Sequence, residues 1–293
     1  MEKELWKKIR EIEIKTSRLV SDLFGGEYRS AFKGNGLDFK EFKIYEEGDE
    51  PRHIDWKVSA KRGSLHVKRF VEERELTLLL VVDVSNSTLF GSSTQLKKEL
   101  AVEFAASIAF SGLKNNDKVG MLLFSDKVLE FIPPKKGRSH ILKLLKKFLS
   151  YTYKKEMAGI TNIAAPLKLI NKVFRKKVIV FVISDFWVEN FEKELKLTAS
   201  QHDLIGVIIS DNRELNIPDA GLVELEDPET KIRYIFDTSD KKVKNEINAL
   251  LTKENTRRAE IFRKNKIDRI FLRTNESYIV PLTNFFRLRE RRF

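Results

Sequence analysis

Leu76-Thr77-Leu78-Leu79-Leu80-Val81-Val82-Asp83-Val84-Ser85-Asn86-Ser87 is the stretch on which the fold turns. Its first part is apolar, rich in Leu and Val and of strand length, and it breaks abruptly into Asp and Ser. A short run that is apolar on both faces belongs to a strand buried on both faces, as in parallel sheets covered by helices. The following residues agree. Leu96, Leu100, Phe104, Ile108 and Leu113 mark a helical face, Asn115-Asn116-Asp117 supplies a turn, and residues 119–124 form a second apolar run.

Outward from this core the alternation continues. Residues 128–132 read as a strand paired with 119–124 across Ser125-Asp126, residues 140–149 and 163–174 return to helical texture, and residues 178–184, 204–210 and 267–272 are further apolar strands. Residues 195–200 end another helix, and the C-terminus is helical. Strands alternating with helices predict an α/β fold with a doubly wound, mainly parallel central sheet. Residues 222–226 and 232–236, separated by Asp227-Pro228-Glu229-Thr230-Lys231, predict a hairpin inserted near residues 220–237, ahead of a long charged helix at 241–264. At the other end, Leu5, Ile9, Ile12, Thr16, Leu19, Val20 and Leu23 recur at helical spacing until Gly25-Gly26. Between Tyr28 and Phe70, short runs are broken by Gly34, Gly36, Gly48, Pro51 and Gly63, and Leu37-Asp38-Phe39-Lys40-Glu41-Phe42 alternates as a strand does. The expected division is residues 1–74, an N-terminal helix plus a small β-rich segment, and residues 75–293, the α/β domain.

Of the 293 residues 42% are hydrophobic, enough to bury a core, and 55 Lys+Arg against 43 Asp+Glu leave a net charge of +12. That excess suits an acidic partner, nucleic acid or an anionic surface. There is no Cys, which excludes disulfides, thiolate zinc sites, iron–sulfur ligation and a cysteine nucleophile in this chain. Residues 1–10 lack the apolar core of a signal peptide, and no apolar run approaches the ~18 residues that span a bilayer. The expectation is a cytoplasmic protein without a membrane span.

Ligands of open α/β sheets bind where strand ends pass into loops. Asp83, Ser85 and Ser87 alternate as one strand runs into its loop, Asp185 follows another strand in Ile183-Ser184-Asp185-Phe186, and Thr161 lies in the small-residue loop Gly159-Ile160-Thr161-Asn162-Ile163-Ala164-Ala165. Two carboxylates and three hydroxyls form a hard-oxygen set, suited to Mg²⁺ or Mn²⁺. Ser and Asp also cap helices and fill turns, so Asp-x-Ser-x-Ser alone is weak. Taken together, Asp83, Ser85, Ser87, Thr161 and Asp185 resemble the metal-ion-dependent adhesion site of von Willebrand factor A domains.

The resemblance narrows in Gly34-Asn35-Gly36-Leu37-Asp38-Phe39, in Tyr45-Glu46-Glu47-Gly48-Asp49-Glu50-Pro51-Arg52-His53-Ile54-Asp55-Trp56 and in Ser59-Ala60-Lys61-Arg62. These are similar to the signature of the DUF58 family, which joins such a segment to a von Willebrand A-like domain; Gly221 and Asp227-Pro228-Glu229 resemble that family's glycine-led hairpin. The resemblance implies a binding module in which a partner protein's carboxylate completes a metal site. It further implies work with MoxR-type AAA+ ATPases and other von Willebrand A proteins in the maturation or assembly of protein complexes. Many members carry N-terminal membrane spans, where this chain has an amphipathic helix. Asp49, Arg52, His53, Asp55 and Trp56 are candidate partner-binding residues; as chemistry they also suit a turn, an ion pair of Asp49 or Asp55 with Arg52, and a Trp56 ring over the sheet's end.

Two other function classes stand beside this one. A strand ending in Asp83 is similar to the nucleophile strand of haloacid-dehalogenase-like phosphatases, with Mg²⁺ shared by Asp185 and a Lys balancing charge, but Ser85 stands where the second Asp of Asp-x-Asp belongs, which removes the general acid/base. Nucleic-acid binding is suggested by Lys135-Lys136, Arg175-Lys176-Lys177, Arg257-Arg258 and residues 287–292. These clusters are scattered and mostly adjoin acidic residues, as on solvated helix faces. Arg287, Arg289, Arg291 and Arg292 with Phe285, Phe286 and Phe293 form the strongest patch, which equally suits an acidic protein. No P-loop or kinase signature is present and no catalytic constellation is complete, so the expectation is recognition, not turnover.

Overall fold

The decisive stretch is a strand, Thr77–Asp83, buried throughout beyond Thr77. It belongs to a computed structural model that describes residues 2–19, 28, 31–32, 38–71, 75–92, 95–153, 160–215, 218–226, 231–274 and 276–292. They divide into two units, Met1–Ala31 with Leu76–Phe293, and Phe32–Glu75. The N-terminal helix α1 (Glu2–Leu19), grouped by sequence with residues 1–74, packs within the larger unit.

In the smaller unit β1 (Asp38–Ile44) pairs antiparallel with β2 (His66–Val71) through a bulge between Phe39 and Glu41. Between them Pro51–His53 forms a 3₁₀ turn and Trp56–Arg62 forms α2. Asp55 caps α2, accepting hydrogen bonds from the backbone of Lys57 and Val58, and Gly63 ends it at φ 71°, a conformation glycine adopts without a Cβ penalty. The Gly34–Leu37 part of the family signature lies outside the described residues.

The larger unit holds β3 (Thr77–Asp83), α3 (Lys97–Lys114), β4 (Lys118–Phe124), β5 (Val128–Lys135), α4 (Arg138–Thr152), α5 (Ala164–Val173), β6 (Ile179–Ser184), α6 (Glu192–Gln201), β7 (Asp203–Ser210), the short α7 (Asn212–Leu215), β8 (Leu222–Glu226), β9 (Arg233–Asp237), α8 (Lys241–Lys264), β10 (Asp268–Arg273) and α9 (Ile279–Glu290). Six strands form one sheet in the order β10-β7-β6-β3-β4-β5, all parallel except β5, which runs antiparallel to β4. This is the doubly wound, mainly parallel sheet expected from the sequence. Its winding reverses between β3 and β6, so the loops after Asp83 and Ser184 flank the topological switch point. The inserted hairpin is β8 paired with β9; its loop residues 227–230, with the Asp-x-Glu, lie outside the described residues.

Packing explains two departures from the sequence pattern. Helix α3 is buried almost all round because α1 covers its outer side with Leu5, Ile9 and Ile12, fastened by Lys8 to Glu99 at 3.0 Å and Lys15 to Glu103 at 3.0 Å. Strand β5 runs past the expected residue 132 through Pro133 and Pro134, which an edge strand tolerates because no neighbour needs their missing N–H. On one face of the sheet Val81, Leu122, Val180 and Val182 pack with Leu167 and Ile170 of α5, Leu195 of α6 and Phe262 of α8.

Candidate metal centre at the switch point

Strand β3 delivers Asp83 to the sheet's C-terminal edge, 2% exposed. Its Oδ1 accepts the backbone N–H of Ser85 at 2.9 Å and its Oδ2 accepts the Ser184 hydroxyl at 2.6 Å. The first bond folds the Asp-x-Ser-x-Ser loop back on its own carboxylate, which brings the Ser85 and Ser87 hydroxyls within 3.1 Å of each other. Ser87 in turn hydrogen-bonds Asp185 at the end of β6. Four of the five residues singled out by sequence therefore share one hydrogen-bonded network. The fifth, Thr161, is buried at 5% exposure on the loop before α5. The next residue in that loop, Asn162, donates its N–H to the carbonyl of Ser125 at 2.8 Å, tying the loop to the end of β4, beside β3. Gly159 of the same loop lies outside the described residues.

Burial pushes the Asp83 carboxyl up, the nearby Asp185 charge pushes it further, and together they outweigh the hydrogen bonds from Ser184 and Ser85, raising it to about 7. Asp185 moves the other way. Burial opposes its charge, but the ammonium of Lys97 holds it below the usual carboxylate range, helped by the N–H of Trp187 and by Ser87. The two neighbouring carboxyls are thus driven apart, Asp83 toward its protonated form and Asp185 toward its charged one.

Lys97, from the first turn of α3, was not singled out by sequence. It is 1% exposed, and its Nζ lies 2.8 Å from Asp185 Oδ2 and 2.6 Å from Glu214 Oε1 of α7. Burial alone would lower its pKa, but Asp185 and Glu214 raise it above the ordinary value, so it is a fixed ammonium. Glu214 also accepts the N–H of Asp211 at 3.0 Å. Asp211, after β7, receives the hydroxyl of Ser92 at 2.5 Å, the hydroxyl of Thr274 at 2.6 Å and the N–H of Ser92 at 2.9 Å. Burial works against its charge, yet these donors hold its carboxyl down at about 2. One signal for Asp211 was visible: Ile209-Ser210-Asp211 repeats Ile183-Ser184-Asp185 at a neighbouring strand end. Arg258 of α8 closes the network, donating to the Asp185 carbonyl while its guanidinium stacks 4.1 Å from the Trp187 ring. Phe186 takes a left-handed φ of 56°, held between the Phe191 and Phe262 rings, which turns the chain sharply after Asp185.

Chemically, the donors about Asp83 are hard oxygens and suit a small divalent ion that keeps waters. Among the described residues no group of three or more His, Asp or Glu side chains is disposed to hold a metal, so an ion here would draw on the Ser85 and Ser87 hydroxyls. The cavity against Asp83 and Lys97 measures about 10 Å³, room for about one water and too small for a phosphoester.

The partner-binding candidates lie in the smaller unit, and their pairings differ from the expected ones. Asp49 meets Lys43 at 2.7 Å and Asp55 meets Lys68 at 2.9 Å, in place of Arg52. The β1–β2 ladder brings those lysines beside the turn, whereas Arg52 is exposed. His53 lies 3.9 Å from Glu50, and Trp56 is 69% exposed.

Among the described residues no helix is long and apolar enough to cross a membrane. The chain is similar to the uncharacterized protein Mb1516 of Mycobacterium bovis, 28% identical over 226 residues that cover 76% of this chain and 71% of that one. It is also similar to the uncharacterized protein YeaD of Bacillus subtilis, 32% identical over 102 residues, 35% of this chain and 23% of the other. Among solved structures it is similar to the conserved hypothetical protein BatB of Bacteroides thetaiotaomicron, with 14% identity and a TM-score of 0.45 over 74% of this chain and 99% of that one. The family described as "Protein of unknown function DUF58" matches residues 41–257, which is most of the sequence, and the chain belongs to that family.

Proposed function

We propose that this chain is a protein-binding module whose contact point is a divalent ion, Mg²⁺ or Mn²⁺, at Asp83, Ser85 and Ser87, with Thr161 and Asp185 tuning the site and a partner's carboxylate completing it. The observation that carries this reading is the convergence of Asp83, Ser85, Ser87 and Asp185 into one buried network at the switch point. Two hydroxyls are neutral ligands, so a divalent ion held by them keeps positive charge and attracts an anion. In the finer reading, taken from the family resemblance, the chain acts with a MoxR-type AAA+ ATPase, and with other von Willebrand A proteins, in assembling protein complexes.

The test is thermal melting of wild type and Asp83→Ala in EDTA and across Mg²⁺ and Mn²⁺ titrations, since a ligand of the folded state alone raises Tm. A metal-dependent rise in wild type that is lost in the variant is expected. Equal response of the two proteins rejects the metal site, and no response in either rejects an ion bound before the partner arrives. For the finer reading, a MoxR-type ATPase should be retained by the immobilised chain in Mg²⁺ and released by EDTA; retention indifferent to EDTA rejects metal-dependent docking.

A further inference from the structure

Strand β10 ends the six-stranded sheet: it pairs with β7 on one side and, among the described residues, with no strand on the other. A groove of about 420 Å³ runs along that outer edge, with residues 267–271 as its floor and α9 as one wall. An open strand edge presents unpaired backbone N–H and C=O groups to whatever enters. Apolar surface accompanies them, with Phe271 48% and Leu288 58% exposed.

The charge of this groove is one-sided. Its lining carries Arg263, Arg269, Arg289 and Arg292 against Asp268, with Glu260 beside Arg263 at 3.9 Å. Asp268 is already answered twice, by Arg292 at 2.6 Å and Arg289 at 3.3 Å, and Arg289 is turned inward onto Asp203. Arg269 donates one guanidinium N–H to the Ala259 carbonyl of α8, and its guanidinium lies 5.2 Å from the Phe271 ring. The net positive rim answers the part of the basic C-terminal patch that the switch-point site does not use.

We propose that this edge binds an extended acidic segment of a partner protein by strand addition. The segment's backbone pairs with β10, its acidic side chains meet Arg263, Arg269 and Arg292, and an apolar side chain rests against Phe271 and Leu288. A nucleic acid meets the arginines but has no regular row of donors for the strand's carbonyls, whereas a peptide satisfies both. A second copy of this chain would set the same arginines against each other, so the occupant is not another β10.

The experiment is fluorescence anisotropy of the full chain with three labelled probes. These are a peptide of four Val-Glu repeats, the same peptide N-methylated at alternate residues, and a single-stranded oligodeoxynucleotide. The plain peptide is expected to bind, N-methylation or Arg269→Glu to weaken it by roughly tenfold or more, and Leu288→Glu to act in the same direction. Asp83→Asn should bind it as wild type does, which separates this surface from the metal site. On wild type alone, hydrogen exchange of the β10 amides should slow when the peptide is added. No binding, equal binding of the N-methylated probe, exchange in β10 that does not change, or tighter binding of the oligonucleotide each overturns strand addition.

Discussion

Asp83 is held by two hydrogen bonds yet is costly to ionise, because burial and the Asp185 charge both favour its proton and raise its pKa from 3.8 to about 7. A carboxyl whose pKa is higher in the folded than in the unfolded state binds its proton more tightly when folded. Folding therefore loses stability as pH rises across that interval and regains it as pH falls. In EDTA, Asp83→Asn should accordingly melt above wild type at pH 8, with the gap closing toward pH 4. Each kcal/mol moves Tm by about 2–4 °C in a protein of this size. A gap independent of pH would show that the Asp83 charge is not its source. Metal binding must displace the same proton, so the Mg²⁺-induced rise in wild type should grow from pH 6 to 8 and be absent from Asp83→Asn.

Helix α3 meets the site through its first turn. Lys97 there places its ammonium between Asp185 and Glu214. Replacing it by Met leaves the buried Asp185 and the partly buried Glu214 without their directly bonded counter-ion, which should cost up to about 3–5 kcal/mol in stability. The Mg²⁺-induced rise in Tm should then be larger in Lys97→Met than in wild type, since the ion no longer competes with a tethered ammonium. An equal rise in both would place the metal away from Asp185. The packing of β7 against α8 is tested separately: a Cβ at Gly206 would overlap the buried Phe262 ring. Gly206→Ala should therefore lower the urea midpoint by an amount equivalent to about 1–3 kcal/mol, with the denaturant slope unchanged.

Across the whole molecule, Asp211 acts in the opposite sense to Asp83. Its carboxyl is held down at about 2 from 3.8, so its contribution is present above the unfolded value and is lost as pH falls through the folded one. The two carboxyls together predict that wild type in EDTA is most stable on the acid side of neutrality, between their windows. Mg²⁺ should move that maximum toward higher pH, and Asp211→Asn should flatten the acid limb; melting curves from pH 2 to 9 check both. The strands, the inserted hairpin and the switch-point carboxylates were legible in the sequence, because buried strands leave apolar runs and strand ends leave abrupt polar breaks, as at Asp83 and Asp185. Lys97 was not, since on α3 it reads as one more charged helix residue; only the return of β6, α3 and α7 to the same edge makes it a counter-ion. The lysine partners of Asp49 and Asp55 were hidden for the same reason, being set by the β1–β2 ladder and not by distance along the chain. The sequence by itself determined the strands and long helices of the α/β unit, because burial and period are properties of single elements, but not the short helices Trp56–Arg62 and Asn212–Leu215. Which charges meet was decided only by tertiary structure, because a charge's partner depends on elements distant along the chain arriving at one place.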